Sequence, residues 1–224
     1  EDVPGAEVPT VGKREIGAWA FFDFANSGYT TVVLTTIYSA YFVAVIAAGL
    51  EEGSPGSATF AWTLSIGDAN LFVLLAGPVI GAIADRRATK KHFLLFSSIL
   101  CVVSTALLSL AGPDQVGLAI GLLVVSAIAF ALGENLIAAF LPEIAHADNM
   151  GRISGYGWSL GYFGCLLTLG ACLGYIRWAE SGGLPATHYV PVCLAITAVI
   201  IAVTAAPTFF WLRERAHPQP PVPG

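Results

Sequence analysis

Residues 58–84 read ATFAWTLSIGDANLFVLLAGPVIGAIA and carry a single charged side chain, that of Asp68. About 20 predominantly apolar residues are enough for a helix to cross the hydrocarbon core of a bilayer, because each residue adds about 1.5 Å. This run therefore predicts a transmembrane helix. Five further runs meet the same criterion, and none alternates with a period of two, which favours helices over barrel strands. These runs are residues 16–50, 93–111, 116–141, 153–176 and 189–212.

The composition of the whole chain points the same way and predicts an all-α membrane protein with six transmembrane helices. Of the 224 residues, 56% are hydrophobic and 11% are charged, whereas soluble domains carry about 25% charged residues. The mean hydropathy is +0.74. So few charges cannot cover a water-soluble globule, which excludes a cytosolic enzyme, a disordered chain and a secreted disulfide scaffold. A net charge of −5 with scattered basic residues argues against a nucleic-acid partner.

The positions of lysine and arginine predict how the chain is oriented. Six crossings place nine of the ten basic residues on one side and leave Arg177 on the other. Basic loops stay in the cytoplasm, so both termini are expected there. The expected organisation is a cytoplasmic N-terminal tail (1–15), a transmembrane bundle (16–212) and a cytoplasmic proline-rich tail or linker (213–224). The nine residues are Lys13, Arg14, Arg86, Arg87, Lys90, Lys91, Arg152, Arg213 and Arg215.

The sequence lacks the residue patterns that enzymes and metal proteins need. Its four cysteines lie inside apolar runs, with no CxxC pair and no Cys/His cluster at zinc spacing, so we expect them to be small buried residues. A phosphate-binding loop, a catalytic triad and a nucleophile motif are also missing. We therefore expect no enzymatic activity, no metal and no cofactor.

The segment that joins the second and third runs carries the most specific local pattern, GAIADRRATKK over residues 81–91. Gly81 allows the close approach of a neighbouring helix. Asp85 falls at the C-terminal end of a helix, where the macrodipole disfavours a negative charge. It therefore needs a positive partner, such as an arginine, or the N-terminus of another helix. The alternative is a basic loop that contains one solvated acid.

This loop resembles the signature between helices two and three of the major facilitator superfamily. The stretch WAFFDFANSGYTT (19–31) and the stretches FLPEIA (140–145) and RISGYGWSLGYFG (152–164) are similar to one branch of it, the vacuole-effluxer or autophagy-related amino-acid exporters and their bacterial relatives. The resemblance implies a cytoplasmic gate that locks the two halves of the transporter together in the outward-facing state. The residues of this gate are Gly81, Asp85, Arg86 and Arg87.

The superfamily unit has twelve helices in two six-helix halves, related by an axis along the membrane normal. This chain resembles the amino-terminal half. The resemblance implies that a second six-helix half completes it: the rest of a longer chain, a separate chain, or a second copy in a parallel homodimer. Two departures from the family stand out. Ala88 occupies a position where the family usually has glycine, which predicts a less tight turn, and helix four lacks the arginine of many proton-coupled members.

Polar residues inside the first run are candidates for a binding face. Asp23, Asn26 and Thr30 recur at i, i+3 and i+7, so they share one helical face with Ser27, which we expect to line a transport cavity. A charge at the bilayer centre costs about 2.5–3.5 kcal/mol on insertion scales, so such an acid needs a partner or a watery cavity. The alternative is that Asp23 reaches the cytoplasmic interface.

The later helices supply further candidates. Asp68, near the middle of the second run, is the leading ion or substrate ligand, with a structural ion pair as the alternative. Glu134 and Asn135 face either the cavity or the gate. Trp158 and Tyr162 are candidates for aromatic cavity walls, with core packing as the alternative. Protonation of Asp68 or of the acid in the first run is a way to bias two states, because a neutral carboxyl is less costly in an apolar interior.

Taken together, these features predict a half-unit secondary transporter in the plasma (inner) membrane. The resemblance implies alternating access and the export of small molecules, with amino acids as the first substrate class. The expected partners are membrane lipids, the second six-helix half and the substrate. The alternative is a six-helix scaffold or assembly subunit that does not transport, although a scaffold has no reason to keep costly acids inside apolar helices.

Overall fold

A computed structural model of the chain describes residues 11–145 and 148–215, with the backbone alone at residue 52. Within these ranges the chain forms helices and no strands, and six helices are long and apolar enough to cross a membrane. The six predicted spans are confirmed. Most of the two predicted tails, residues 1–10 and 216–224, lies outside the described residues. The first to sixth spans are Lys13–Ile46, Ser57–Arg87, Lys90–Leu108, Val116–Ile144, Met150–Ser181 and Ala186–Trp211.

The fifth span is longer than its apolar run over residues 153–176 and continues to Ser181, so only residues 182–185 connect it to the sixth span. The helix ends where Gly183 adopts a left-handed conformation with φ of +74°. The N–H of Gly183 then donates to the carbonyl of Glu180, and the N–H of Leu184 donates to that of Ala179. This pairing satisfies carbonyls that a helix end otherwise leaves free. Hydropathy indicates which part of the helix is apolar enough to contact lipid, whereas backbone conformation and hydrogen bonding determine where the helix ends.

The first span is not one regular helix. The run over residues 16–50 is long for one straight crossing, and the structure interrupts it twice. Its α-helix gives way to a π-helical turn at Thr30–Thr35, and a second π-helical turn lies at Phe42–Ile46. Between them Thr36 leaves the helical region with φ of −120° and ψ of −75°. The end of the run belongs to a separate short helix, Ala48–Gly53.

The first span lies at the centre of the bundle, where it packs mainly against the fifth and sixth spans. The third span contacts the fourth and sixth. The second span packs mainly against the fourth and has the smallest buried share of the six. Leu74 on the second span and Trp158 on the fifth are two thirds or more exposed. The second and fifth spans therefore present large uncovered faces.

Glycines of the fifth span allow its close packing against the first span. A Cβ atom at Gly157 would lie 2.8 Å from the Trp19 ring, and one at Gly164 would overlap the carbonyl oxygen of Phe24. These contacts leave no room for any other residue. Small residues thus allow close helix packing at Gly157 and Gly164, whereas Gly155 has no atom within 4 Å of its position for a Cβ.

Candidate functional site

An open groove runs between the first, fourth and fifth spans, and carboxylates, hydroxyls and aromatic rings line it. It consists of a cavity of about 300 Å³ and an adjoining one of about 170 Å³. The two cavities share Asp23, Glu134 and Trp158, so we treat them as one feature and call it the central groove. The other lining residues are Trp19, Ser27, Thr30, Thr31, Ile137, Ala138, Leu141, Ser154, Gly161, Tyr162 and Cys165.

Two carboxylates from different spans face the central groove, Asp23 from the first and Glu134 from the fourth. Asn26 is buried behind them and donates a side-chain N–H to Glu134 Oε1. Among the residues that the structure describes, Asp23 forms no hydrogen bond or ion pair. Neither cavity is lined by a described lysine, arginine or histidine. These two carboxylates therefore have no basic counterpart among the described residues that line the groove.

Gly161 makes room for the carboxylate of the first span. A Cβ atom at this position would lie 2.8 Å from Asp23 Oδ2 and 2.8 Å from Ser27 Oγ. The acid thus rests against bare backbone of the fifth span, where no side chain covers it. The sequence predicted a shared face for Asp23, Asn26 and Thr30, and the structure places the first and last of these in the groove.

The fifth span contributes one helical face to the groove, with Trp158, Gly161, Tyr162 and Cys165 at i, i+3, i+4 and i+7. The Trp158 and Tyr162 rings are 67% and 65% exposed, and their centroids lie 6.4 Å apart at 51°. They form a wall of the groove and are not packed in the core. The expectation that all four cysteines are buried is wrong for Cys165, which lines the groove and accepts a hydrogen bond from the Thr31 hydroxyl at 3.0 Å. Its spacing from the two aromatic residues could have placed it.

The remaining candidates lie apart from the groove. Asp68 is exposed on the second span and lines none of the described cavities. Asn135 lines a smaller pocket of about 50 Å³ that also includes Gly81 and Asp85. Of the two neighbours on the fourth span, Glu134 thus faces the cavity and Asn135 faces the loop predicted to form the gate.

At one end of the bundle, Lys90 joins two carboxylates. Its Nζ lies 2.7 Å from Asp85 Oδ1 and 2.9 Å from Glu143 Oε1. The side chains of Lys90 and Glu143 are only 10% and 14% exposed, whereas that of Asp85 is 56% exposed. Asp85 thus has the positive partner that its position requires, although the partner is a lysine. Glu143 is held between two partners, Lys90 and the backbone N–H of Arg215.

Two residues after the sixth span complete this arrangement. We call it the end network, and it consists of Glu15, Asp85, Lys90, Glu143, Glu214 and Arg215. Arg215 donates from both terminal nitrogens to the Glu15 carboxylate, at 2.6 and 2.7 Å, and its backbone N–H donates to Glu143. Hydrogen bonding to Glu15 raises the pKa of Arg215. Glu214 accepts from the backbone N–H groups of Lys90 and the next residue, so it caps the third span. The end network therefore ties together four separate parts of the chain.

Two of the predicted gate residues, Arg86 and Arg87, are exposed at the end of the second span and are not part of the end network. Both are basic residues in the last helical turn, where they complement the macrodipole. Their side chains are available to a partner outside this bundle.

Ala88 ends the second span in the left-handed conformation, with φ of 50° and ψ of 52°. The turn is therefore as sharp as a glycine turn, and the expectation of a less tight turn is wrong. We expect Ala88→Gly to stabilise the protein by about 1 kcal/mol, because glycine adopts this conformation without strain. Thermal unfolding of the purified chain in detergent measures the change.

The matched control for this substitution is Ala82→Gly, because Ala82 is an exposed residue within the helix that ends before Ala88. There glycine should destabilise by about 1 kcal/mol, because it loses more conformational freedom in a helix. A melting temperature for Ala88→Gly at or below that of the original chain would show that Ala88 is not strained.

Six spans, a polar groove and the loop after the second span together define an integral, multi-pass membrane protein built like one six-helix half of a major facilitator transporter. The family described as "Vacuole effluxer Atg22 like" matches residues 62–223, and this chain belongs to that family.

Two curated proteins of Bacillus subtilis (strain 168) are similar to the chain. Identity to the uncharacterized MFS-type transporter YxiO is 28% over 173 residues, which cover 77% of this chain and 40% of YxiO. Identity to the uncharacterized MFS-type transporter YkuC is 31% over 155 residues, which cover 66% of this chain and 31% of YkuC. The chain thus spans less than half the length of either relative. No solved structure matches it.

Proposed function

We propose that this chain is one half of a secondary transporter that moves small molecules across a membrane by alternating access. The observation that carries the proposal is that Asp23 and Glu134 border one open groove between apolar spans. A carboxylate in a dry bilayer interior is costly, and a water-filled passage removes most of that cost. The two MFS-type transporters to which the chain is similar support the same conclusion.

A second six-helix half is proposed to complete the passage. Asp68 supports this, because it is exposed on the second span, where contact with lipid would cost about 2.5–3.5 kcal/mol. The uncovered faces of the second and fifth spans offer the surface for such a half. It comes from a longer chain, from a separate chain, or from a second copy in a homodimer.

The end network and the loop before it are proposed to form a cytoplasmic gate. Nine of the ten basic residues are predicted on this side. In one state the loop binds the second half through Gly81, Asp85, Arg86 and Arg87, and in the other it releases it. Protonation of Asp23 or Asp68 is proposed to bias these two states.

Small molecules, with amino acids first, are the proposed substrates, and export is the proposed direction. The family description, an effluxer, supports export. That description names the vacuole, whereas for this chain we propose the plasma (inner) membrane, because both similar proteins are bacterial.

Cys165 is a natural reporter for this proposal, because it lines the groove while the other three cysteines are buried. We expect a membrane-impermeant methanethiosulfonate reagent to label it in sealed vesicles of either orientation. Alternating access exposes the groove to each side in turn, so both orientations should react. Mass spectrometry of the labelled peptide measures the rate.

The control is Cys165→Ser, which should abolish labelling and leave the buried thiols unmodified. Labelling from neither side would contradict a water-filled passage and favour the alternative of a non-transporting scaffold. Labelling from one side alone would leave a binding cavity but contradict alternating access.

A further inference from the structure

We propose that the central groove binds an organic ammonium ion, so that the transported small molecules include a positively charged amine. This inference rests on the proposed function and specifies its substrate class. It is carried by the coincidence of two carboxylates, an aromatic pair and free volume at one place in the bundle.

The two carboxylates of the groove favour a cation as its ligand. Asp23 and Glu134 are the charged side chains that line its described walls, and no described basic side chain accompanies them. Asn26 satisfies one oxygen of Glu134 as a neutral donor, which leaves the negative charge in place. Two carboxylates that face the same groove repel each other, and a bound cation relieves that repulsion.

The aromatic wall distinguishes an organic cation from a small metal ion. Trp158 and Tyr162 stand side by side, largely exposed, on the face of the fifth span that meets the acids. The π-face of such rings attracts a cation within about 6 Å, and indole is the strongest of the natural rings. A strongly hydrated ion such as Na⁺ keeps its water and gains little from the rings. A quaternary ammonium group, such as that of choline, is more weakly hydrated and has methyl groups that pack on them.

The volume of the groove suits a small ligand of this type. The larger cavity of about 300 Å³ lies at the low end of the usual range for small-molecule sites. Gly161 keeps the space beside Asp23 open, because any side chain there would meet the carboxylate. The hydroxyls of Ser27 and Thr30 line the same cavity and are available to the polar part of a ligand.

The test is the protection of Cys165 in the purified full chain in detergent. A small neutral methanethiosulfonate reagent labels the thiol in the presence of choline or of 3,3-dimethylbutan-1-ol, which has the same shape without the charge. We expect choline to slow labelling and the uncharged isostere to have no effect at the same concentration. Sodium chloride at equal ionic strength should also have no effect.

Variants then assign the binding to the groove. Trp158→Leu and Asp23→Asn should each raise the choline concentration for half-protection by about tenfold, a loss typical of a desolvated cation contact. The matched control is Trp178→Leu, because Trp178 is exposed to a similar degree and also lies beside a tyrosine ring, that of the partly buried Tyr175, at 5.6 Å elsewhere on the fifth span. It should leave protection unchanged. Melting temperatures of all variants establish that the fold is kept.

Equal protection by choline and its isostere, protection by neither, or equal protection by sodium would each overturn the inference. So would a loss of protection in Trp178→Leu as large as in Trp158→Leu. These outcomes would contradict the ammonium site without contradicting the proposed function. Labelling of Cys165 from both sides of sealed vesicles without choline selectivity would contradict the ammonium site alone, whereas an unreactive Cys165 would contradict both.

Discussion

Replacement of Gly164 by alanine is expected to be among the most damaging single substitutions in this protein. The added Cβ would overlap the carbonyl oxygen of Phe24 and lie 2.8 Å from its carbonyl carbon. Backbone atoms of a buried helix cannot move aside as a flexible side chain can. We expect a loss of about 3 kcal/mol or more, at the upper end for overpacked sites, measured as a lower melting temperature of the full chain in detergent.

Gly170→Ala is the matched control, because Gly170 lies on the same span with no atom within 4 Å of a Cβ at its position. Alanine favours a helix there by up to about 1 kcal/mol, so its melting temperature should not fall. Equal stability of the two variants would show that the first and fifth spans are not in close contact at Gly164.

The second large effect is expected for Lys90→Gln. Glutamine removes the positive charge that joins Asp85 to Glu143 and leaves the mostly buried Glu143 without its cation. Breaking a fully buried ion pair costs about 3–5 kcal/mol. Because Asp85 is more than half exposed and Arg215 still donates to Glu143, we expect about 2 kcal/mol here.

Two measurements check this prediction. The melting temperature of Lys90→Gln should fall, and Cys165 should react faster from the side of the end network, because a weakened gate favours that opening. Arg87→Gln is the control for stability, since Arg87 is exposed and outside the network; it should change stability by less than about 0.5 kcal/mol. A fully stable Lys90→Gln would mean that the network contributes nothing to the fold.

The spans could be predicted from the sequence because the bilayer imposes a simple requirement on length and polarity. Residues 58–84 already met it, and the structure extends that run only to Ser57–Arg87. The interruption of the first span could not be predicted, since a π-helical turn depends on what packs around it. The extension of the fifth span to Ser181 could not be predicted either, because glycines near the end of a helix do not by themselves show on which turn it stops.

The lining of the central groove was predicted in part from the sequence. Helical periodicity placed Asp23 and Thr30 on one face, which requires only local geometry. The meeting of Asp23 with Glu134 depends on contacts between residues more than a hundred positions apart, which periodicity does not reveal. Glu143 illustrates the same difficulty: an acid at a helix end is usually solvated, and only the folded chain brings Lys90 to it.

Each π-helical turn of the first span holds about one residue more than an α-helical turn. One residue rotates an α-helix by about 100°. The turn at Thr30–Thr35 therefore sets the rotational phase of the buried Tyr38 and Phe42 relative to Asp23. Deleting one residue within it would restore α-helical geometry at this turn and rotate both rings away from Trp62, against which they now pack. Single-residue insertions and deletions at this turn can thus rotate the part of the helix that contains Tyr38 and Phe42. The polar face before the turn, which contains Asp23, keeps its orientation.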